Sequence, residues 1–236
     1  MEQKKFKVPF LSDSEIEGKA ELVIEYIDKE ILIKPQFTPI NIIINKLQEK
    51  RLLSFCILEN LGETNNYRKI LGKYVIRTKT ILIDSSIYET TRFNFAIAHE
   101  LGHFVLHRKL LIKHKEYGEQ LIDTDYDTVS GKKKILTDRD RLEYQANSFA
   151  SSLLLPEKTF RKALIGIQKV KGINRNIGKI YVESNHSSMT DYQKMLSELA
   201  DIYQVNKTNI EYRLMALDMI IDKRLKSVSH ISEFIE

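Results

Sequence analysis

Three of the chain's six histidines fall within thirteen residues, in the segment FAIAHELGHFVLH at 95–107. His99 and His103 are four apart, a spacing that stacks two side chains on one face of an α-helix a turn apart. Two neutral imidazoles so placed can hold one divalent ion. Glu100 beside them completes H-E-x-x-H, the pattern in which a helix supplies two metal ligands and a general base. The chemistry this predicts is attack of an activated water on a peptide carbonyl.

Such a site needs a third protein ligand and one position left open. A glycine at 106 and a histidine at 109 would supply one solution, but the chain has Leu106 and Lys109. The other common solution is a carboxylate on a following helix, and Glu143 in LEYQANSFA is the candidate. Asn147 lies one turn on from it, where its side-chain oxygen can accept the free ring N–H of a ligand histidine and fix the tautomer. Gly102 is expected where the second ligand helix approaches closely, because a glycine inside a helix otherwise costs about 1 kcal/mol. His107 stands a further turn along, ~5.4 Å on, too far for a third direct bond. It is assigned a packing or hydrogen-bonding role, and His114, His186 and His230 have no partner spacing at all. Zinc suits this donor set, and manganese or iron as Mn2+ or Fe2+ can also take it. Tyr144, Tyr181, His186 and Tyr192 are all available to stabilise an oxyanion, and the sequence does not rank them.

These residues must be positioned by helices. From Thr91 to about Arg108, Phe93, Ile97, Leu101 and Phe104 recur at intervals of three and four, which predicts an amphipathic helix. TDRDRLEYQANSFASSLLLP opens with Thr137 and Asp140 as a cap, places Leu142, Ala146, Phe149, Ala150 and Leu153 on one stripe, and stops at Pro156. Upstream, Ser14 and Glu17 read as a capping box for a helix with Ile16, Ala20, Val23, Ile24 and Ile27 inward. Thr38 and Pro39 open a second helix. LLSFCILE has strand composition, and GKYVIRTKTILIDSS reads as two strands of a small antiparallel sheet, of which TKTILIDSS is the candidate edge for pairing with an extended substrate. The polar stretch 113–134 reads as an excursion or flap.

Downstream of Pro156 the character changes. Between Glu157 and Lys179 there are seven basic residues, Lys158, Arg161, Lys162, Lys169, Lys171, Arg175 and Lys179, against one acidic. This belt carries the chain's net charge of +5 and its pI near 9.0, and it reads first as a solvated basic face. SELADIYQVNKTNIEYRLMALDM then has the outline of a helix-turn-helix, with Leu199 and Ala200 on a first helix, Val205 in the turn, and Asn206 capping a second with Ile210 and Leu214 inward. The outward residues Lys207, Thr208, Glu211, Tyr212 and Arg213 mix charges, which suits a structural or docking role better than base reading. The expected division is a core at 1–156 and a helical region at 157–236 packed on it.

Composition bounds the rest. Hydrophobic residues are 42% and charged residues 29%, which excludes a disordered or fibrous chain. The lone cysteine, Cys56, is expected to be buried and inert, with no disulfide and no oxidising compartment implied. No segment approaches the ~18 apolar residues of a membrane span and the N-terminus has no apolar leader core, so a cytoplasmic location is expected.

RFNFAIAHELGHFVLH followed by EYQANSFASSLLLP resembles the ImmA/IrrE family of metallopeptidases, with weaker likeness in VPFLSDSEIEGKAE and in the strand pair. The resemblance covers residues 8–156 well and the remainder loosely. It implies a zincin-like α+β core, mostly helical, with His99, His103 and Glu143 as metal ligands and Glu100 as general base. It also implies a substrate: a helix-turn-helix repressor whose cleavage derepresses genes of a mobile element or a stress response. Two other readings stand beside it, a non-catalytic protein that sequesters a repressor and a DNA-binding regulator. No residue fixes an oligomeric state.

Overall fold

The helix that carries the histidines is the centre of the molecule. In a computed structural model, which describes residues 7–58, 60–114, 118–124, 135–174 and 176–224, α3 (Thr91–Gly102) continues through a widened π turn at His103–His107 into α4 (Arg108–Lys113). Every residue from Phe95 to His103 is buried. The expected amphipathic helix is therefore an enclosed one, covered on one side by a sheet and on the other by helices.

The sheet runs β1 (Ser54–Leu58), β3 (Thr80–Asp84), β2 (Ile70–Val75), β4 (Gln120–Thr124) in spatial order. β2 and β3 form the expected antiparallel pair, but β1 lies parallel to β3, so the sheet is mixed. This order also corrects the expected substrate edge. β3, which holds TKTILID, is an interior strand, and the outer strands among the described residues are β1 and β4. β4 itself falls inside the polar stretch expected as an excursion. Its Leu121 and Asp123 are buried in strand alternation, which ties the middle of that stretch to the core. Residues 115–117 and 125–134 of the excursion lie outside the described residues. A bulge in β2 between Ile70 and Gly72 re-aims the strand beside the histidine helix. Cys56 is exposed, contrary to expectation, because β1 is an outer strand with little covering either face.

On the other side, α1 (Asp13–Ile27), α2 (Ile40–Glu49) and α5 (Asp138–Leu154) close the core. α1 starts two residues earlier than expected, since Ser12 and Glu15 form the capping box and Ser14 does not. Thr38 does not cap α2. Its hydroxyl turns inward and donates to the carbonyl of Leu153, a tertiary partner that sequence cannot show. The Thr137–Asp140 box at the head of α5 forms as expected. α6 (Glu157–Val170), α7 (His186–Tyr203) and α8 (Lys207–Ala216) follow, and α7 and α8 make the expected helix pair, with Asn206 accepting from the Asn209 N–H. Two short parallel strands, β5 (Ile180–Val182) and β6 (Ile220–Asp222), flank that pair. Among the described residues no helix is long and apolar enough to cross a membrane.

Candidate metal centre

α3 and α5 cross at their smallest residues. A Cβ on Gly102 would stand 3.0 Å from the Cα of Ala146 and 3.1 Å from its carbonyl oxygen, so only glycine permits this approach. The crossing brings Glu143 to the histidines. Its Oε2 lies 3.3 Å from His99 Nε2 and 3.6 Å from His103 Nε2, and the two Nε2 atoms are 3.1 Å apart. Bonds of about 2.0–2.1 Å to a tetrahedral ion place ligand atoms about 3.3–3.4 Å from one another, and the observed triangle matches that edge.

Protons cannot satisfy this arrangement when both rings are neutral. His99 Nδ1 faces the oxygen of Asn147 at 2.9 Å, so the ring donates there and Nε2 is a bare lone pair. His103 Nδ1 faces His107 Nδ1 at 3.1 Å, which again turns Nε2 toward the centre. Both oxygens of Glu143 and both of Glu100 are buried with no hydrogen-bond partner among the described residues. Convergent lone pairs and carboxylates, all buried, fit a divalent cation, and His99, His103 and Glu143 could hold one.

The electrostatics agree. Burial would push the His99 imidazole down, but the carboxylates of Asp123, Glu143 and Glu100 outweigh it and raise the ring to about 10. Burial pushes Glu100 well above the ordinary carboxyl range, and Asp123 and Glu143 add to this while His99 opposes it. A dication held among these groups would act in the opposite direction and favour the ionised carboxylate of Glu100. Burial raises Glu143, but His103 and His99 prevail and hold it below the usual range. Burial lowers His103, and it lowers His107 to about 3, with His103 adding to the effect on His107, so His107 is neutral.

Three residues here were not singled out in the sequence. Asp123 joins His99 and Glu100 in a second group whose ligand-capable atoms lie within 4.8 Å of one another. Its signal was available, an acid in phase with an inward leucine on a strand. Gly72, opposite Asp123 in the sheet register, has Glu100 against it: a Cβ there would stand 2.7 Å from Glu100 Oε1. A glycine within a strand is the mark of such close approach. Gln145 is the third, its oxygen 2.9 Å from His107 Nε2, so His107 takes the hydrogen-bonding role expected of it.

Other candidates fall elsewhere. The Tyr144, Tyr181 and Tyr192 hydroxyls each donate to a carboxylate, of Asp13, Glu183 and Glu211 respectively. His186 is exposed at the head of α7, and His230 lies outside the described residues. In the basic belt, Lys158, Arg161, Lys171 and Lys179 pair with Glu21, Glu157, Glu198 and Asp218, and Lys162 donates to the carbonyl of Ile33. Arg175 lies outside the described residues. Arg213, expected outward, is 5% exposed and holds α8 to the core: it donates to the Leu155 carbonyl, the Ser152 hydroxyl and Glu17. The second helix of the pair therefore spends its arginine inside the protein.

Residues 40–215 match the family model of the IrrE N-terminal-like domain, a peptidase family. Metallopeptidase ImmA of Bacillus subtilis (strain 168) is 38% identical over 74 residues, covering 31% of this chain and 34% of that protein. Uncharacterized immunity region protein 2 of Bacillus phage phi105 is 34% identical over 100 residues, covering 42% of this chain and 52% of that protein. The matched stretches thus span about a third and about half of these relatives. Among solved structures, a Mycobacterium tuberculosis transcriptional regulator superposes with a TM-score of 0.49 at 17% identity, over 85% of this chain and 46% of that one.

Proposed function

The chain belongs to the IrrE N-terminal-like peptidase family, and from that premise we propose that it is a zinc-dependent endopeptidase that acts in the cytoplasm on a helix-turn-helix repressor. His99, His103 and Glu143 are the metal ligands in this reading, Asn147 fixes the tautomer of His99, and Glu100 is the general base. The observation that carries it is the convergence of three buried donor atoms, 3.1 to 3.6 Å apart, with a buried carboxylate next to them in sequence. A bound divalent ion supplies Lewis acidity to a water and to the scissile carbonyl.

The chain's own residues do the remainder. Glu100 accepts the proton of the attacking water and passes it to the leaving amine. Gly72 leaves room for that carboxylate, and the enclosed walls of α3 and the sheet keep bulk water from competing for it. Among the described residues β4 is an outer strand beside the cluster, through Asp123, and an extended substrate segment pairs there. In this reading the helical region after Pro156, described for residues 157–174 and 176–224, packs on the core before it, which is supported by the hydrogen bonds of Arg213 to Leu155, Ser152 and Glu17. The relative named for a phage immunity region supports a regulatory protein as substrate.

The test is to incubate the purified protein, with and without added zinc, with the helix-turn-helix protein encoded beside it. A discrete fragment that requires metal and is absent with Glu100→Gln is the expected result. Full biological effect retained by Glu100→Gln would select sequestration in place of cleavage.

A further inference from the structure

His99 has its tautomer set by a single amide, but His103 is backed by a chain of three groups. Gln145 Nε2 donates to the carbonyl of Pro9 at 2.8 Å, and a carbonyl can only accept, so the amide orientation is fixed. Its oxygen therefore faces His107 Nε2 at 2.9 Å and requires a proton on that nitrogen. A neutral His107 protonated at Nε2 presents a bare Nδ1. That atom lies 3.1 Å from His103 Nδ1 and must accept a hydrogen bond from it. Each step dictates the next, from the backbone at Pro9 to the inward-facing Nε2 of His103.

The anchor of this chain is itself secured. The N–H groups of Lys7 and Val8 both donate to Asp138, and Arg141 donates to the Val8 carbonyl, so the strap before α1 is held to the head of α5. His103 and His107 bracket the π turn and are both 1% exposed, so water does not compete for these bonds.

We infer that His107 and Gln145 are positioning residues for the metal centre, which lock His103 in the tautomer that presents Nε2 to the ion. The inference rests on the reading of His103 as a ligand. Ligand histidines are commonly backed by a carboxylate, carbonyl or water, and a carboxylate raises the ring's basicity. At their Nδ1 atoms both ligand rings face neutral groups, an amide for His99 and an imidazole for His103.

The test uses the full-length protein and needs no substrate. Zn2+ and Co2+ affinities are measured by competition against a chromophoric chelator, with circular dichroism and metal-free melting run on the same samples. His107→Leu and Gln145→Leu are each expected to weaken affinity about 10- to 100-fold. His107→Asn, whose side-chain oxygen stands near the place of Nδ1, is expected to recover most of the loss, which a purely space-filling role would not give. Independently of any variant, 15N ring shifts of the zinc-loaded wild type should report His103 protonated at Nδ1 and His107 at Nε2. A folded His107→Leu protein with unchanged affinity overturns the inference alone, as does a His107 ring protonated at Nδ1. A wild-type protein that takes up neither ion overturns it together with the metal-centre reading.

Discussion

Helix α5 borders two buried charge clusters, and they are resolved in opposite ways. Near its C-terminal end the guanidinium of Arg213 is enclosed between a carbonyl, a hydroxyl and Glu17, each a partner supplied by the chain. More than two turns toward its N-terminus, Glu143 joins Glu100 and Asp123 around His99, and the carboxylate oxygens of Glu100 and Glu143 have no hydrogen-bond partner among the described residues. Both clusters are buried and both are charged. What separates them is satisfaction. The first is complete without a ligand and holds helices together; the second, in the proposed reading, is completed by a divalent ion. A buried charge is thus no mark of function by itself, whereas buried donors left convergent and unpaired are.

The sharpest way to break this contrast is to remove charge from each side. Glu100→Gln is expected to lower cleavage by at least the 10²- to 10⁴-fold typical of a general base. It should leave zinc affinity intact and leave the melting temperature of the metal-free protein unchanged or higher, since the carboxyl it removes is one that burial disfavours. Arg213→Ala should do the reverse. It removes the cation from Glu17, which is 12% exposed in its side chain and keeps the Glu157 N–H on its other oxygen, and should cost about 3 kcal/mol in denaturant unfolding. A companion Glu17→Leu/Arg213→Leu double variant should regain much of that loss, and a double variant no better than Arg213→Ala would show that the junction is more than a satisfied pair.

The crossing that builds the second cluster offers a smaller test. Gly102→Ala gains helix propensity but drives a Cβ into the backbone of α5 at Ala146, so a net loss of about 1–3 kcal/mol is expected, with zinc affinity falling because Glu143 shifts. A neutral effect on both would mean that α5 can move without cost. The smallest effect is in pH. His107 is held neutral, with its folded pKa at about 3 against an ordinary 6.5, so the unfolded chain binds a proton that the native state does not. Its contribution is complete above pH 6.5 and is lost as pH falls toward 3, by about 1 kcal/mol between pH 6.5 and 5.5. His107→Leu should flatten that part of the metal-free stability curve, and an unchanged slope would assign the titration to another group.

How much was legible follows from the range of the interactions. His99 and His103 were readable because helical periodicity alone puts them on one face, Glu100 because it stands beside them in a known pattern, and Thr137 with Asp140 because a capping box is local. Thr38 and Cys56 were misread because each depends on what lies beside it in space, a carbonyl of α5 for one and an uncovered strand for the other. The sheet edge was misread for the same reason. Strand composition identifies β3 as a strand but does not say which neighbours it has.

By itself, then, the order of residues determined the main helices, the β2–β3 strand pair, the spacing of the histidines on α3 and the family. Glu143 was a candidate in the sequence, and tertiary structure brought it to the two histidines; tertiary structure alone placed Asp123 and Gly72 around Glu100 and linked Gln145 to His103 through His107. The physical reason is that backbone periodicity acts over a turn or two of chain, whereas these contacts depend on where two helices cross and how four strands are registered, and both are set by packing across the whole core.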